Sequence, residues 1–320
     1  MKKALTLLLS FSCAVIFAQN YKSIAAKAET HYRNKEFAQS VAVYKEAFAL
    51  EQKSPGDLYN AACSAALAGD TGQAFQWLNL AVQNGWTNVR HLKSDADLET
   101  LRGSERWETL VAAMQKETDR IEANYDKPLQ AELLAIFDED QKYRKQISDI
   151  QKQYGHDSPE MQELWKIIAE KDSINLLKVG SILDKHGWVG PDKVGRQASQ
   201  ALFLVIQHAD LATQQKYLPL VREAVKNKQL NGSSLALLED RVALREGRKQ
   251  FYGSQVDRDP DTNTYYVLPL EDPDNVDKRR AEVGLGPLAD YVRRWNIEWN
   301  AEEYKKKLPE IEEKAKRAQH

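Results

Sequence analysis

Between Tyr21 and Val82 the apolar positions recur with a spacing of 34 residues, pairing Ser40 with Ala74, Tyr44 with Leu78 and Ala47 with Ala81. Ala28 and Phe37 belong to the first copy, and Ala62, Ala65 and Gly69 to the second. Such a pattern predicts paired helices, in which small residues permit close approach and bulky ones fill the groove between them. Gly69-Asp70 supplies the turn inside the second copy. After Gly85-Trp86, the anchors Leu92, Leu98, Leu101, Trp107 and Leu110 predict a cap that closes the exposed end of so short an array. The stretch from Glu117 to Lys127 is polar, ends at Pro128 and marks a boundary.

Beyond it, Leu129, Leu133, Phe137, Ile147 and Ile150 fall at helical spacing through Tyr154, and Asp140 and Arg144 take places where the apolar stripe should continue. Ser158-Pro159 predicts a helix start, with Ser158 as N-cap, and Gly187 predicts its end. The stripe of this long helix reads Trp165, Ile168, Asp172, Asn175, Val179, Ile182, His186, so that polar side chains again hold seam positions. A third helix, from about Val194 to Ala209, is apolar through Ala201–Ile206. It predicts an enclosed element with His208 turned inward. Further helices are expected over Thr213–Asn227 and Ser233–Glu246, with Asp240 on an apolar face. Gln250–Val256 and Thr264–Leu268 flank a turn-rich segment and predict a small hairpin. Helices then begin at Asp272-Pro273 and at Pro287, and the tail from Glu302 is charge-dense, as in a solvated or frayed helix.

The ends and the composition narrow the setting. Lys2-Lys3, an apolar run to Phe17 and a small residue at Ala18 carry the marks of a secretory leader, which predicts a mature start at Gln19 and a periplasmic or secreted protein. That run is shorter than the roughly 20 residues of a bilayer span, so no membrane span is expected. Cleavage leaves Cys63 as the sole cysteine, which excludes an internal disulfide. With 45 Lys and Arg against 47 Asp and Glu, the near-neutral chain gives no basis for bulk attraction to nucleic acid.

Residues 21–82 resemble the tetratricopeptide family, and the segment around Gly85-Trp86, Asp95, Asp97-Leu98 and Trp107 resembles a closing module attached to such pairs in bacteria. The motifs Asp140-Gln141 with Arg144, His186-Gly187-Trp188, Gln207–Asp210, Asp240-Arg241, Gln250–Gln255 and Arg279-Arg280 with Gly284-Leu285 resemble an uncharacterised bacterial domain family over about 129–295. That resemblance implies no activity. The expectation is an all-α chain of tetratricopeptide-like hairpins plus a second helical domain with one small β-hairpin. Its divisions are a leader (1–18), repeats with cap (19–116), linker (117–127), helical domain (128–300) and charged tail (301–320).

Inward ionised groups must be mutually paired, because burying one alone costs several kcal/mol. Two functions follow. The leading one is an exported scaffold that takes a protein or peptide through the repeat. The alternative is a hydrolase or transferase in the second domain acting on an anionic substrate. For that site the catalytic candidates are His208, His186, Asp172, Asp210 and Asp240. The ligand-holding candidates are Asp140, Arg144, Arg241, Gln250, Tyr252, Gln255, Arg279 and Arg280. Asp172, His186, His208 and Asp210 also offer mixed N/O donors. Without HExxH or paired Cys ligands, however, the sequence designates no metal and names no cofactor. Taken pair by pair, Asp140–Arg144 and Asp240–Arg241 read first as structural ion pairs, with the two His satisfying backbone groups.

Overall fold

A computed structural model describes residues 21–50, 53–259 and 261–317; the expected leader lies outside the described residues. The chain divides into two compact units, Met1–Ala123 and Asn124–His320. The first holds α1 (residues 21–33), α2 (Phe37–Phe48), α3 (Pro55–Leu67), α4 (Thr71–Gln83), the short α5 (Val89–Ser94), a 3-10 turn (Ala96–Leu101) and α6 (Glu105–Ile121). The paired positions of the 34-residue spacing are all interior: Ser40, Tyr44, Ala47, Ala74, Leu78 and Ala81 are fully or almost fully buried. Ser40 Oγ donates to Ala28 O and meets Ser64 Oγ, both at 2.9 Å, so a small polar pair sits where α1, α2 and α3 converge.

The same spacing extends to helix starts. The N-caps of α2, α4 and α6 are Glu36, Asp70 and Ser104, and the residues before them, Lys35, Gly69 and Gly103, all have left-handed φ (61°, 81° and 76°). Asp70 and Ser104 accept the backbone N–H three residues on, whereas Glu36 makes no such bond. A left-handed residue costs nothing special as glycine, but about 1 kcal/mol as lysine. Residues 117–127, read from sequence as a polar linker, continue α6 to Ile121 and then form a 3-10 turn over Glu122–Asn124.

In the second unit the stretch expected as one helix to Tyr154 is broken, giving α7 (Lys127–Arg144) and α8 (Ile147–Tyr154). The buried face of α7 is Leu129, Leu133, Ile136 and Asp140, and Phe137 is only partly buried. The helix α9 runs from Pro159 to His186 between the expected cap, Ser158, and the expected stop, Gly187. Its seam is Met161, Leu164, Ile168, Asn175, Val179 and Ile182; Trp165, expected on that stripe, is 45% exposed. After α10 (Pro191–Val194), the apolar α11 (Arg196–His208) packs against α7 and α9 and is buried along most of its length. Next come α12 (Leu211–Lys226) and α13 (Gly232–Arg245), which pack on each other.

The fold is all-α apart from one antiparallel hairpin, β1 (Val256–Arg258) with β2 (Tyr265–Val267), registered Val256 to Val267. The first strand begins later than the sequence suggests, because residues 250–255 form a loop tied to α13. The unit ends with α14 (Val276–Glu282), α15 (Leu288–Val292) and α16 (Ala301–Arg317). The helix that starts after Pro287 is expected from sequence to run through Trp295 and Trp299, but it stops at Val292, and both tryptophans lie beyond it. The charged tail is a structural helix and no frayed end: Tyr304 and Ile311 are buried, and the Tyr304 hydroxyl accepts from Leu270 N at 2.8 Å and donates to Leu268 O at 2.9 Å. Among the described residues no helix is long and apolar enough to cross a membrane.

Candidate functional site

The polar positions on α7, α9 and α11 converge. Asp140 sits one turn beyond Ile136 on the inner face of α7, and its side chain is entirely buried. Its Oδ1 meets His208 Nδ1 at 3.0 Å and accepts from Arg144 at 3.3 Å, while Oδ2 accepts from Gln141 Nε2 at 2.7 Å. Arg144, one turn further on, also donates Nη2 to Asp172 Oδ2 on α9 at 2.6 Å. One guanidinium thus bridges two carboxylates from different helices. Burial pushes the Asp140 carboxyl up, but the bond and charge of His208, the charge of Arg144 and the Gln141 bond outweigh it and hold it below its ordinary value.

The His208 side chain is 19% exposed at the end of α11. A carboxylate only accepts, so Nδ1 carries the proton, and Nε2 is the basic nitrogen, with no hydrogen bond among the described residues. Several neighbours are also unsatisfied: Asp172 Oδ1, Asn175 Nδ2 and Arg241 Nε are buried and find no partner among the described residues. Such atoms cost about 1–3 kcal/mol each and mark places where water or a ligand is held. Arg241, on α13, makes no ion pair among the described residues, and its pKa is depressed by burial first and then by the charge of Arg245, with Arg144 contributing in the same direction. Two cations raise the electrostatic potential around a third that has no counter-ion.

Several candidates fall elsewhere. His186 is exposed on the last turn of α9, 14 residues past Asp172, which is about 20 Å along the helix axis. Asp210 caps α12 by accepting Thr213 N at 2.8 Å. Asp240 does not pair with Arg241. It is buried and accepts the backbone N–H groups of Phe251 (2.7 Å), Tyr252 (3.0 Å) and Ser254 (2.9 Å), which ties the 250–255 loop to α13. Burial raises the Asp240 carboxyl, and the three amides pull it partly back.

The remaining expected ligand holders are engaged in the same loop. Gln250 donates to Gln255 O and Leu268 O, both at 2.9 Å, and accepts from Gln255 N at 2.8 Å. Gln255 donates its own amide to Ser254 Oγ, and the half-buried Tyr252 enters through its backbone. Arg279 binds Phe251 O and Glu271 O. Arg280 is 1% exposed, binds Gly286 O and Tyr252 O at 2.6 Å each, and lies 4.9 Å over the Tyr291 ring. Of the thirteen sequence candidates, Asp140, Arg144, Asp172 and His208 form one cluster, and Arg241 lies within electrostatic reach of it. Asn175 escaped the candidate set although its seam position was visible, because an amide on a stripe carries no charge to flag it.

A model for a family of unknown function (DUF6624) matches residues 127–302, more than half of the chain, and the chain belongs to that family. The match spans the segment over which the motifs above resemble an uncharacterised helical domain. No curated protein and no solved structure matches the chain.

Proposed function

We propose that in this DUF6624 member the second unit is a hydrolase or transferase for an anionic substrate, with His208 as general base. The observation that carries this is the asymmetry of the imidazole: Nδ1 is held by a fully buried carboxylate, while Nε2, on a partly exposed ring, has no partner among the described residues. Asp140 then fixes the tautomer and stabilises the imidazolium that forms when Nε2 takes a proton. Arg144, anchored to Asp172 on α9, keeps Asp140 ionised and in place. Arg241 offers its unpaired cation to a phosphate, sulfate or carboxylate group of the substrate.

The test is turnover of a panel of chromogenic phosphate, sulfate and carboxylate-bearing esters by the native chain and by His208→Gln, Asp140→Asn and Arg241→Met. General-base loss should lower kcat by about 10²–10⁴-fold in His208→Gln with its circular dichroism intact. Arg241→Met should act mainly on KM. No turnover by the native chain across the panel, or equal turnover by His208→Gln, would overturn the reading.

A second reading concerns the first unit. The 34-residue phase of its buried positions and helix starts supports a tetratricopeptide-like adaptor that binds a protein or peptide. With the leader-like residues 1–18, this favours an exported protein, periplasmic or secreted, in which the adaptor delivers the second unit to its target. Intact-mass analysis of material from a bacterial exporting host tests the export: a chain beginning at Gln19 supports it, and a chain retaining Met1 opposes it.

A further inference from the structure

The first unit contains a pocket of about 430 Å³ whose wall includes Tyr44, Tyr59, Cys63, His91, Asp95 and Asp97. Two segments bring these together. Tyr59 and Cys63 lie one turn apart on α3, and His91 and Asp95 lie one turn apart at the end of α5, with Asp97 in the 3-10 turn that follows. The Asp95 side chain itself starts that turn by accepting Asp97 N at 3.1 Å, and its other oxygen faces Tyr59 and Cys63 on α3. Donor atoms of Cys63, Asp95 and Asp97 all lie within 4.8 Å of one another.

Two of the spacings are close to those of a metal centre. Asp95 Oδ2 is 3.7 Å from Cys63 Sγ and 3.3 Å from His91 Nε2. Tetrahedral zinc with Zn–S of about 2.3 Å and Zn–O or Zn–N of about 2.0 Å separates its ligand atoms by about 3.5 Å (S to O) and about 3.3 Å (N to O). The outer layer is also in place: the Tyr59 hydroxyl donates to Asp95 Oδ2 at 2.7 Å and the Tyr32 hydroxyl donates to Asp97 Oδ2, the kind of bonds that orient ligating carboxylates. An independent sign of a ligand is Tyr44. It is 1% exposed, forms part of the same wall, and its hydroxyl has no partner among the described residues.

We propose that Cys63, Asp95 and Asp97 bind a divalent transition metal of the zinc class, with the half-exposed His91 beside Asp95 swinging in as the fourth ligand. A thiol and an imidazole beside two carboxylates disfavour Mg²⁺ and Ca²⁺, which take oxygen ligands. Arg33 shares the pocket, but its guanidinium is turned to Thr30 Oγ1 at 3.3 Å. The Tyr44 hydroxyl supplies a polar contact for a water or small ligand beside the ion.

The experiment titrates the full chain with Co²⁺ and then displaces it with Zn²⁺. One equivalent should give a thiolate-to-cobalt charge-transfer band that Zn²⁺ removes. Cys63→Ser should abolish the band, and Asp97→Asn should weaken binding at least tenfold. Tyr59→Phe, which keeps every ligand, should weaken it about 10–100-fold. His208→Gln, in the other unit, should leave the band unchanged, which separates this site from the proposed catalytic one. Absence of the band in the folded native chain, or a band that survives Cys63→Ser, would overturn the proposal. So would affinity unaltered in both Asp97→Asn and Tyr59→Phe.

Discussion

Replacing Asp140 by Asn removes the charge at the centre of the α7–α9–α11 junction while keeping its shape. Breaking a buried ion pair from one side costs about 3–5 kcal/mol, because the partner is stranded. Here the stranding is incomplete. Arg144 keeps Asp172 at 2.6 Å, and the Arg144 and His208 side chains are 16% and 19% exposed, so both retain some water. The expected loss is therefore about 2–3 kcal/mol, near the value for a hydrogen bond to a charged group. The pH dependence has a definite sign. Because the folded Asp140 pKa lies below its ordinary 3.8, its contribution is complete above that value and disappears as the pH falls through the folded one. The difference between native and Asp140→Asn proteins should narrow below about pH 4. Urea titrations read by hydrogen exchange on α11 peptides isolate the relevant unit. A loss under about 1 kcal/mol, or a difference that widens toward low pH, would refute the reasoning.

Asp240→Ala should be more damaging, at about 3 kcal/mol or more, since it orphans the amides of Phe251, Tyr252 and Ser254 together. Thermal melting checks this, and a shift of a degree or two would mean that water replaces the carboxylate. Lys35→Gly should stabilise the first unit by up to about 1 kcal/mol, because φ at 61° is strained for lysine and free for glycine. A measurable loss of stability in urea would contradict it. Asp259 should titrate at about 2, held down by the Lys314 ammonium at 2.7 Å and the amides of Thr262 and Asp261. In Lys314→Met the midpoint, followed by carbon NMR of the carboxyl group, should rise toward 3.8.

What was legible in the sequence is what local chemistry dictates. Ser158-Pro159 and Gly187 bound α9 because a cap and a stop act within a few residues of themselves. Asp140, Asp172 and His208 stood out because a titratable side chain on an apolar stripe has to be paired inside. The partners were not legible. Asp240 lies on an apolar face for the same reason as Asp140, yet its bonds go to backbone amides of a loop, and no residue type announces a bare N–H. Asp210 and His208 are two residues apart and looked like one site, but the helix break between them turned Asp210 into a cap. Trp165 fell out of the α9 seam because Met161 and Leu164 set the face one position earlier. The tail from Glu302 misled through its charge density, which hid the single aromatic and the single isoleucine that dock it.

The matching left-handed residues before the N-caps of α2, α4 and α6 make the first unit extensible. A segment running from Glu36 through Gly69 begins at a helix cap position and ends with the turn that feeds the next one. A second copy of that segment placed after Gly69 would meet Asp70 in the conformation Asp70 already has, and its own Glu36 would follow a left-handed glycine in place of Lys35. Backbone direction at both joints is preserved without designing a new loop, and an added copy would lengthen the stack by one step. The unit can therefore grow by duplication of 34 residues, whereas an insertion of 30 or 38 would rotate every later helix away from its groove.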